Sequence, residues 1–206
     1  MELADCKIIE FINKVKSKDA TPGGGAVAAL TAAEGIALII MVTNFTINNK
    51  KYEEFEKLNQ LAKNEAEQLL MEFLTDIDTD KKAFEKVSDA YAMPKNTENE
   101  KIVRKNAIAN ASVGAAEVPL SVMHAGLRAL ELADMLIGKT NSNLVSDLYV
   151  AVFNLYAAIE SAKLNVQANI PYISDKKCAF HLKKESEEIS KTSYVIVKQM
   201  IDGNVR

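Results

Sequence analysis

The sequence contains no tryptophan, only two cysteines and only two histidines among its 206 residues. Cys6 and Cys178 are far apart and have neither CxxC spacing nor a nearby histidine pair, so neither a zinc site nor a disulfide framework is indicated. His124 and His181 stand outside any pattern of metal ligands, and we expect them to be structural or surface residues. The sequence therefore predicts two free thiols in a reducing compartment and no bound metal.

No excess of basic residues and no long uninterrupted apolar run is present. The 25 Lys and Arg residues are interspersed with 28 Asp and Glu residues, giving a net charge of −3 that argues against a nucleic-acid partner. The most apolar run, residues 26–42, is interrupted by Glu34 and Gly35 and is rich in alanine, so it predicts a buried helix and not a membrane span. The first five residues lack the basic start of a signal peptide, so a cytoplasmic location is expected.

Apolar residues recur with helical spacing along most of the chain, and no alternating strand pattern is present. We predict an all-α fold, with about six mostly long antiparallel helices in one bundle and no sheet, in a single domain over residues 1–206. The predicted helices cover residues 5–17, 22 to 44 or 46, 52–93, 97–136, 143–170 and 174–203.

Three of these boundaries rest on specific signals. Thr97 followed by Glu100 predicts a capping box at the start of the fourth helix. Residues 52–93 contain neither proline nor glycine, which predicts one very long helix or two helices with a bend near residues 75–79. Pro119 lies inside the fourth helix and is expected to kink or divide it.

The segment Thr21–Leu30, TPGGGAVAAL, combines a helix start with three glycines that a helix normally excludes. Thr21 is a candidate N-cap and Pro22 suits a first turn. Gly23, Gly24 and Gly25 each cost about 1 kcal/mol relative to alanine, so their missing side chains must serve a purpose. Either another backbone packs very close, or an anionic ligand binds the free N–H groups at the positive end of the helix.

Three aspartates, Asp76, Asp78 and Asp80, fall in the middle of the predicted third helix. A solvated acidic turn is one interpretation. The other is a carboxyl group that faces a cleft, has a raised pKa and acts as an acid or base. On an ideal helix Asp76 and Asp80 share a face and Asp78 does not, so at most two of them point inward.

Polar residues also interrupt the apolar fifth helix. Asp147 lies near its start, where a carboxylate stabilises the helix N-terminus whether or not it has another role. Asn165 and Asn169 lie four residues apart on one face, and their amides must bond either to neighbouring backbone or to a ligand.

Seven of these segments, in their order along the chain, resemble the cyclodeaminase/cyclohydrolase family, which includes the formiminotetrahydrofolate cyclodeaminase domain and free-standing methenyltetrahydrofolate cyclohydrolases. The glycine and Pro-Lys-Asn-Thr elements are the most specific, and the resemblance extends over residues 21–171. The segments are Pro22–Ala29, Met41–Asn44, Asp78–Phe84, Met93–Thr97, Val118–Leu120, Asn143 with Ser146 and Asp147, and Asn165–Asn169.

The resemblance implies an all-α homodimer that binds a reduced folate, possibly polyglutamylated in form, and uses no cofactor beyond that substrate. By position, Asp80 matches the proposed catalytic aspartate of the family, with Asp78 beside it. The implied substrate-binding residues are Gly23, Gly24, Gly25, Asn44, Lys95, Asn143, Asp147 and Asn165.

The chemistry implied by the resemblance needs one acid–base group at a carbon between two nitrogens. In the cyclodeaminase reaction N10 attacks the formimino carbon and ammonia leaves; in the cyclohydrolase reaction water opens the methenyl bridge. A single carboxyl with an elevated pKa serves either reaction. We expect a 5-formiminotetrahydrofolate cyclodeaminase, with a methenyltetrahydrofolate cyclohydrolase as the first alternative and a non-catalytic helical binding protein as the second.

Overall fold

The computed structural model describes residues 2–204, and within them six α-helices form a bundle without any strand. The all-α prediction is confirmed. The helices are α1 (Ile8–Val15), α2 (Gly24–Asn44), α3 (Glu56–Ala92), α4 (Glu98–Leu136), α5 (Val145–Asn169) and α6 (Lys176–Asn204). Short 3-10 helices precede α3 (Lys50–Phe55) and flank α5 (Ser142–Leu144 and Ile170–Tyr172).

Helix α2 lies at the centre of the bundle because its side chains are small. It contacts α3, α4 and α5, and eleven of its 21 residues are buried, most of them alanine, glycine or isoleucine. Two segments, Gly24–Asn44 and Ser142–Tyr172, are long and apolar enough to cross a membrane by length and composition alone. For Gly24–Asn44, packing on three sides inside the bundle accounts for the apolar composition.

Two glycines allow helices of the bundle to approach closely. A β-carbon on Gly35 of α2 would lie 2.9 Å from Cγ of Leu155 and 3.1 Å from the carbonyl oxygen of Ala151, both on α5. A β-carbon on Gly126 of α4 would lie 2.8 Å from Cγ1 of Ile159, also on α5. Helix α5 is therefore packed against both α2 and α4 at positions where only glycine fits without rearrangement.

The structure refines several predicted helix boundaries. The capping box of α4 is present: the Glu100 amide donates to Oγ1 of Thr97, and the Glu100 carboxylate accepts from the Thr97 amide. Helix α3 is continuous over 37 residues, and α4 runs through Pro119 without being divided. Helix α6 continues past Gly203, and α1 is shorter than predicted, with Phe11 as its one buried residue.

The start of α2 also differs from the prediction. Gly23 is the N-cap residue, and the cap has no side-chain hydrogen bond, so Thr21 does not cap this helix. Thr21 and Pro22 both lie before the first helical residue. The amide donors at this helix start are available to a partner from elsewhere in the fold.

We predict that Gly35→Ala destabilises the protein by roughly 1–3 kcal/mol, because its methyl group would press on Leu155 and the Ala151 carbonyl. Urea-induced unfolding measures the change. Gly114→Ala in α4 is the matched control, since no atom of a neighbouring element lies within 4 Å of its β-carbon position. That control should gain about 0.5–1 kcal/mol from helix propensity. Equal effects of the two substitutions would contradict the close packing of α2 on α5.

Candidate active site

The start of α2 faces the middle of α3, and the side chain that joins them is Asp80. The backbone amide of Ala26 donates to Oδ2 of Asp80 at 2.9 Å. Ala26 occupies the third position of α2, where an N-cap side chain would normally accept this bond. A carboxylate from a neighbouring helix therefore replaces the missing cap and lies at the positive end of the α2 dipole.

Gly25 makes this approach possible. A β-carbon at Gly25 would overlap the Asp80 carboxylate, whereas one at Gly23 would make only an ordinary contact, 3.8 Å from the Ala20 carbonyl oxygen. Gly24 lies against Asn165 of α5, with 3.3 Å between its β-carbon position and either terminal atom of the carboxamide. Gly24 and Gly25 therefore allow both close packing and an anionic group at the helix start, and that group is the side chain of Asp80.

A cleft of about 180 Å³ opens at this point. The first turn of α2, Asp80 and Phe84 of α3, Ala115 of α4, and Asn165 and Asn169 of α5 line it. Four helices therefore contribute to one small cavity that contains a carboxyl group and two carboxamides. Among the described residues, no cluster of three or more His, Cys, Asp or Glu side chains suitable for a metal is found.

Pro119 contributes to this cleft indirectly. In a regular helix the amide of residue 119 would donate to the carbonyl of residue 115, but proline has no amide proton. The Ala115 carbonyl instead accepts a hydrogen bond from Nδ2 of Asn169 at 3.2 Å. The same Nδ2 also donates to the Asn165 carbonyl at 3.0 Å, and Nδ2 of Asn165 donates to the Ser161 carbonyl at 2.9 Å. The interrupted bond in α4 thus fixes the orientation of Asn169 from α5.

Burial raises the pKa of Asp80 above the ordinary value for aspartate, because removal from water disfavours the charged form. The hydrogen bond from Ala26 opposes this shift but is the smaller effect. A carboxyl group with a raised pKa is a stronger base when ionised and is more readily protonated, so burial makes Asp80 better suited to proton transfer than an ordinary aspartate.

Asp76 lies one turn before Asp80 on the same face of α3. Its pKa is raised to about 6, first by burial and then by the negative charges of Glu72 and Asp80, against a hydrogen bond from Ser121. Its Oδ2 is buried without a hydrogen-bond partner among the described residues. Two carboxyl groups with raised pKa values therefore lie one turn apart on α3. Asp80 lines the cleft, and Asp76 does not.

The structure brings together five of the ten predicted site residues: Gly23, Gly24, Gly25, Asp80 and Asn165. Asn169, Phe84 and Ala115 are additional members of the cleft. Asn169 could be found from the sequence, because it follows Asn165 by four residues and so lies on the same face of α5. Ala115 contributes a carbonyl oxygen that Pro119 leaves free to accept a hydrogen bond from Asn169. The sequence around Pro119 does not indicate which distant side chain will donate that bond.

Asp78, which the resemblance places beside Asp80, lies outside this cleft, and a catalytic role for it stays a prediction. Its buried carboxylate accepts the backbone amides of Leu3 at 2.7 Å and Ala4 at 3.3 Å. Both oxygens are therefore engaged in holding the N-terminal segment on α3. Asp78 is separated from Asp80 because residues two apart on a helix point in different directions.

Four further predicted residues also lie outside the Asp80 cleft. Asn44 ends α2, twenty residues and about 30 Å along the helix from Gly24. Asn143, in the 3-10 helix before α5, and Asp147, in the first turn of α5, lie at that same far end, where the Asn141 amide donates to Oγ1 of Thr46 at 2.9 Å. Lys95 lines a different, larger cavity. The resemblance identifies these residues by position in the sequence, which does not specify which helix ends lie close together in the fold.

We predict that Asp76→Asn raises the free energy of unfolding by roughly 1–2 kcal/mol at pH 8, because partial exposure to solvent reduces the effect of the pKa shift, and changes it little at pH 4. The folded-state pKa of about 6 exceeds the ordinary 3.8, so the wild-type protein loses stability as pH rises from about 4 to about 6. Urea unfolding of both proteins from pH 4 to pH 8 measures the difference. A difference that does not grow across this range would show that Asp76 has an ordinary pKa.

Comparison with known proteins gives a consistent result at the levels of sequence and structure. Residues 7–188 match the family model described as formiminotransferase-cyclodeaminase. A methenyltetrahydrofolate cyclohydrolase from Methylorubrum extorquens is 38% identical over 177 residues, which cover 86% of this chain and 85% of that protein. The formimidoyltransferase-cyclodeaminase of Gallus gallus is 30% identical over 167 residues, 81% of this chain but only 31% of that longer protein.

The crystal structure of a formiminotetrahydrofolate cyclodeaminase from Thermotoga maritima superimposes with a TM-score of 0.84 and 31% identity, and the match covers 100% of both chains. The family resemblance inferred from the seven sequence segments is therefore confirmed. The chain belongs to the formiminotransferase-cyclodeaminase family of folate-dependent cyclodeaminases and cyclohydrolases.

Proposed function

We propose that this chain is a methenyltetrahydrofolate cyclohydrolase that acts as a homodimer in the cytoplasm and uses Asp80 as its acid–base group. The observation that favours this reaction is the 38% identity to a cyclohydrolase over most of both chains. It reverses the order expected from the sequence alone, in which the cyclodeaminase came first. The cyclodeaminase reaction is the second candidate, supported by the full-length match to the Thermotoga maritima structure.

The proposed hydrolysis needs a base and then an acid at one position. The Asp80 carboxylate takes a proton from water as the water oxygen bonds to the methenyl carbon. The same carboxyl then delivers that proton to N5 as the carbon–N5 bond breaks. The hydroxyl group on the carbon loses its proton to solvent and becomes the carbonyl of the 10-formyl product. General acid–base catalysis of this kind contributes about 10²–10⁴-fold in rate.

The same carboxyl serves the cyclodeaminase reaction. The formimino group starts in its protonated form, with two hydrogens on the nitrogen that departs. N10 gives its proton to Asp80 as it bonds to the formimino carbon, and Asp80 then passes that proton to the departing nitrogen, which leaves as ammonia as the cationic methenyl bridge forms. Neither reaction requires electron transfer, so we propose that the tetrahydrofolate substrate is the only organic group involved and that no metal takes part. After their intramolecular hydrogen bonds, Asn165 keeps one free N–H and its side-chain oxygen, and Asn169 keeps its side-chain oxygen. These groups are proposed to contact the folate beside the reacting carbon.

The cleft also limits how the substrate binds. Its volume of about 180 Å³ is below the roughly 300–1,000 Å³ of most small-molecule sites. We propose that the one-carbon unit and its nearest ring atoms enter the cleft, and that the remaining folate extends over adjoining surface. A second copy of the chain in the homodimer is proposed to add to that surface, and Asn44, Asn143 and Asp147 are the predicted residues available for such a role.

Incubation with each folate, followed by methenyl absorbance, tests the proposal. With 5,10-methenyltetrahydrofolate we expect the absorbance to fall faster than in buffer as the 10-formyl form accumulates. A rise with 5-formiminotetrahydrofolate, together with release of ammonia, would assign the cyclodeaminase reaction instead. Binding of folate without either change would show a non-catalytic binding protein. A matched incubation with heat-denatured protein controls for the spontaneous reactions.

A further inference from the structure

Three carboxylates follow one another along one face of α3 and are here called the carboxylate row: Glu72, Asp76 and Asp80. Each is four residues from the next, so one helical turn of about 5.4 Å separates neighbours in the row. Asp80 lines the cleft, whereas the other two do not. Glu72 is exposed and lies 3.5 Å from Nη1 of Arg128 on α4. The carboxylate row therefore leads from the cleft to the surface groove between α3 and α4.

Asp76, in the middle of the row, belongs to both environments. Its Oδ2 is buried and has no hydrogen-bond partner among the described residues. Its carboxyl also accepts a hydrogen bond from Ser121 of α4, a residue that is exposed to solvent. A buried carboxylate oxygen without a donor costs free energy, so stability does not account for an acidic residue at this position. A group that exchanges a proton does account for it.

No cation faces Asp76 from the two long helices packed against α3, within residues 2–204. The one charged residue of α2, Glu34, lines a separate apolar cavity. On α4, Arg128 contacts two glutamates nearer the start of α3, and Glu117 and His124 act on residues of α6. The surroundings of Asp76 therefore favour its uptake of a proton.

The protonation of Asp76 responds to the rest of the carboxylate row. Burial, and then the negative charges of Glu72 and Asp80, raise the pKa of Asp76 to about 6. Because Asp76 and Asp80 repel each other when both are ionised, a proton that leaves one is more readily taken up by the other. A carboxyl group with a pKa of about 6 also releases its proton readily to water at neutral pH.

The proposed hydrolysis leaves one proton in the cleft at each turnover. The methenyl folate is a cation, and its reaction with water gives a neutral formyl group and one proton. When Asp80 has protonated N5 it is ionised again, while the hydroxyl group on the carbon still has to lose its proton. Folate bound in a cleft of about 180 Å³ displaces the water that could accept this proton. A route that the substrate does not block is therefore needed.

We propose that Asp76 is the proton exit of the cleft, taking this remaining proton from Asp80 and releasing it to water in the groove between α3 and α4. The inference rests on the proposed function, because the cyclodeaminase reaction releases ammonia and no separate proton. Asp76 touches no reacting atom and acts through Asp80, so it is a positioning residue for the proton.

The transfer conserves both protons and electrons. The O–H bond of the carbon-bound hydroxyl breaks, its electron pair completes the formyl carbonyl, and the proton bonds to Asp80. It then passes to Asp76, and Asp80 is ready for the next water. The β-carbons of residues four apart on a helix lie about 5–6 Å from each other, a separation that two carboxyl groups span with one bridging water. At the outer end, the hydroxyl of Ser121 connects Asp76 to solvent.

The test measures hydrolysis of 5,10-methenyltetrahydrofolate by Asp76→Asn at pH 7 in weak buffer. We expect kcat to fall about tenfold with KM unchanged, because substrate binding does not involve Asp76. Imidazole, a small proton carrier, should restore most of this loss as its concentration rises, after subtraction of the rate in imidazole alone. Asp76→Glu keeps a carboxyl group and should stay within about threefold of the wild-type kcat.

Asp89→Asn is the matched control, since it removes the same charge from an exposed position of α3 outside the row. It should keep the wild-type kcat and show no response to imidazole. Urea unfolding of each variant shows that the chain is folded. A structural role for Asp76 would lower stability and kcat together, whereas the proposal predicts a lower kcat in a protein that is at least as stable.

A wild-type kcat in Asp76→Asn would overturn the inference. A loss that the control shares, or one that imidazole does not reverse, would also overturn it, because Asp76 would then act on Asp80 only through its charge. In each of these cases the wild-type protein still hydrolyses the methenyl folate and the proposed function stands. A wild-type protein that does not hydrolyse this folate would refute both.

Discussion

The arrangement of the candidate active site depends on one hydrogen bond, from the Ala26 amide at the start of α2 to the carboxylate of Asp80 on α3. Helix α2 has no cap of its own at this end, and the Asp80 carboxylate supplies the missing acceptor. Gly25 is required because any side chain there would occupy the position of that carboxylate. The cost of Gly25 at a helix start is thus explained by the placement of one acidic group, and that of Gly24 by its close contact with Asn165.

The remainder of the bundle keeps this contact in place. Small residues along α2 let α3, α4 and α5 pack around it, and Gly35 and Gly126 allow α5 to approach α2 and α4 closely. Pro119 adds a polar constraint, since the carbonyl that it leaves free on α4 holds Asn169 of α5.

Asp78 has a different function on the opposite side of α3, where it anchors the N-terminal segment through Leu3 and Ala4. Neighbouring residues of one acidic turn therefore serve distinct purposes.

Much of this architecture follows from local sequence patterns. The capping box at Thr97 and Glu100 is a local interaction, and the alanine-rich composition of α2 by itself predicts a central, buried helix. Helical periodicity also separates Asp76 and Asp80 from Asp78, as the structure bears out. What these patterns do not contain is the pairing of distant segments. Asp80 accepts a hydrogen bond from the amide of Ala26, which lies 54 residues earlier in the chain. Asn169 and Ala115, which are also hydrogen-bonded, are likewise 54 residues apart.

The most direct test of the central claim is the turnover of Asp80→Asn, measured beside its circular dichroism and thermal unfolding. Asparagine retains an oxygen that can accept the Ala26 amide, so the helix start should remain intact, but it cannot take up and release a proton near neutral pH. The account predicts a folded protein whose kcat is at least about 100-fold lower than that of the wild type. A folded variant with turnover within a few-fold of wild type would contradict it and remove Asp80 from the chemistry.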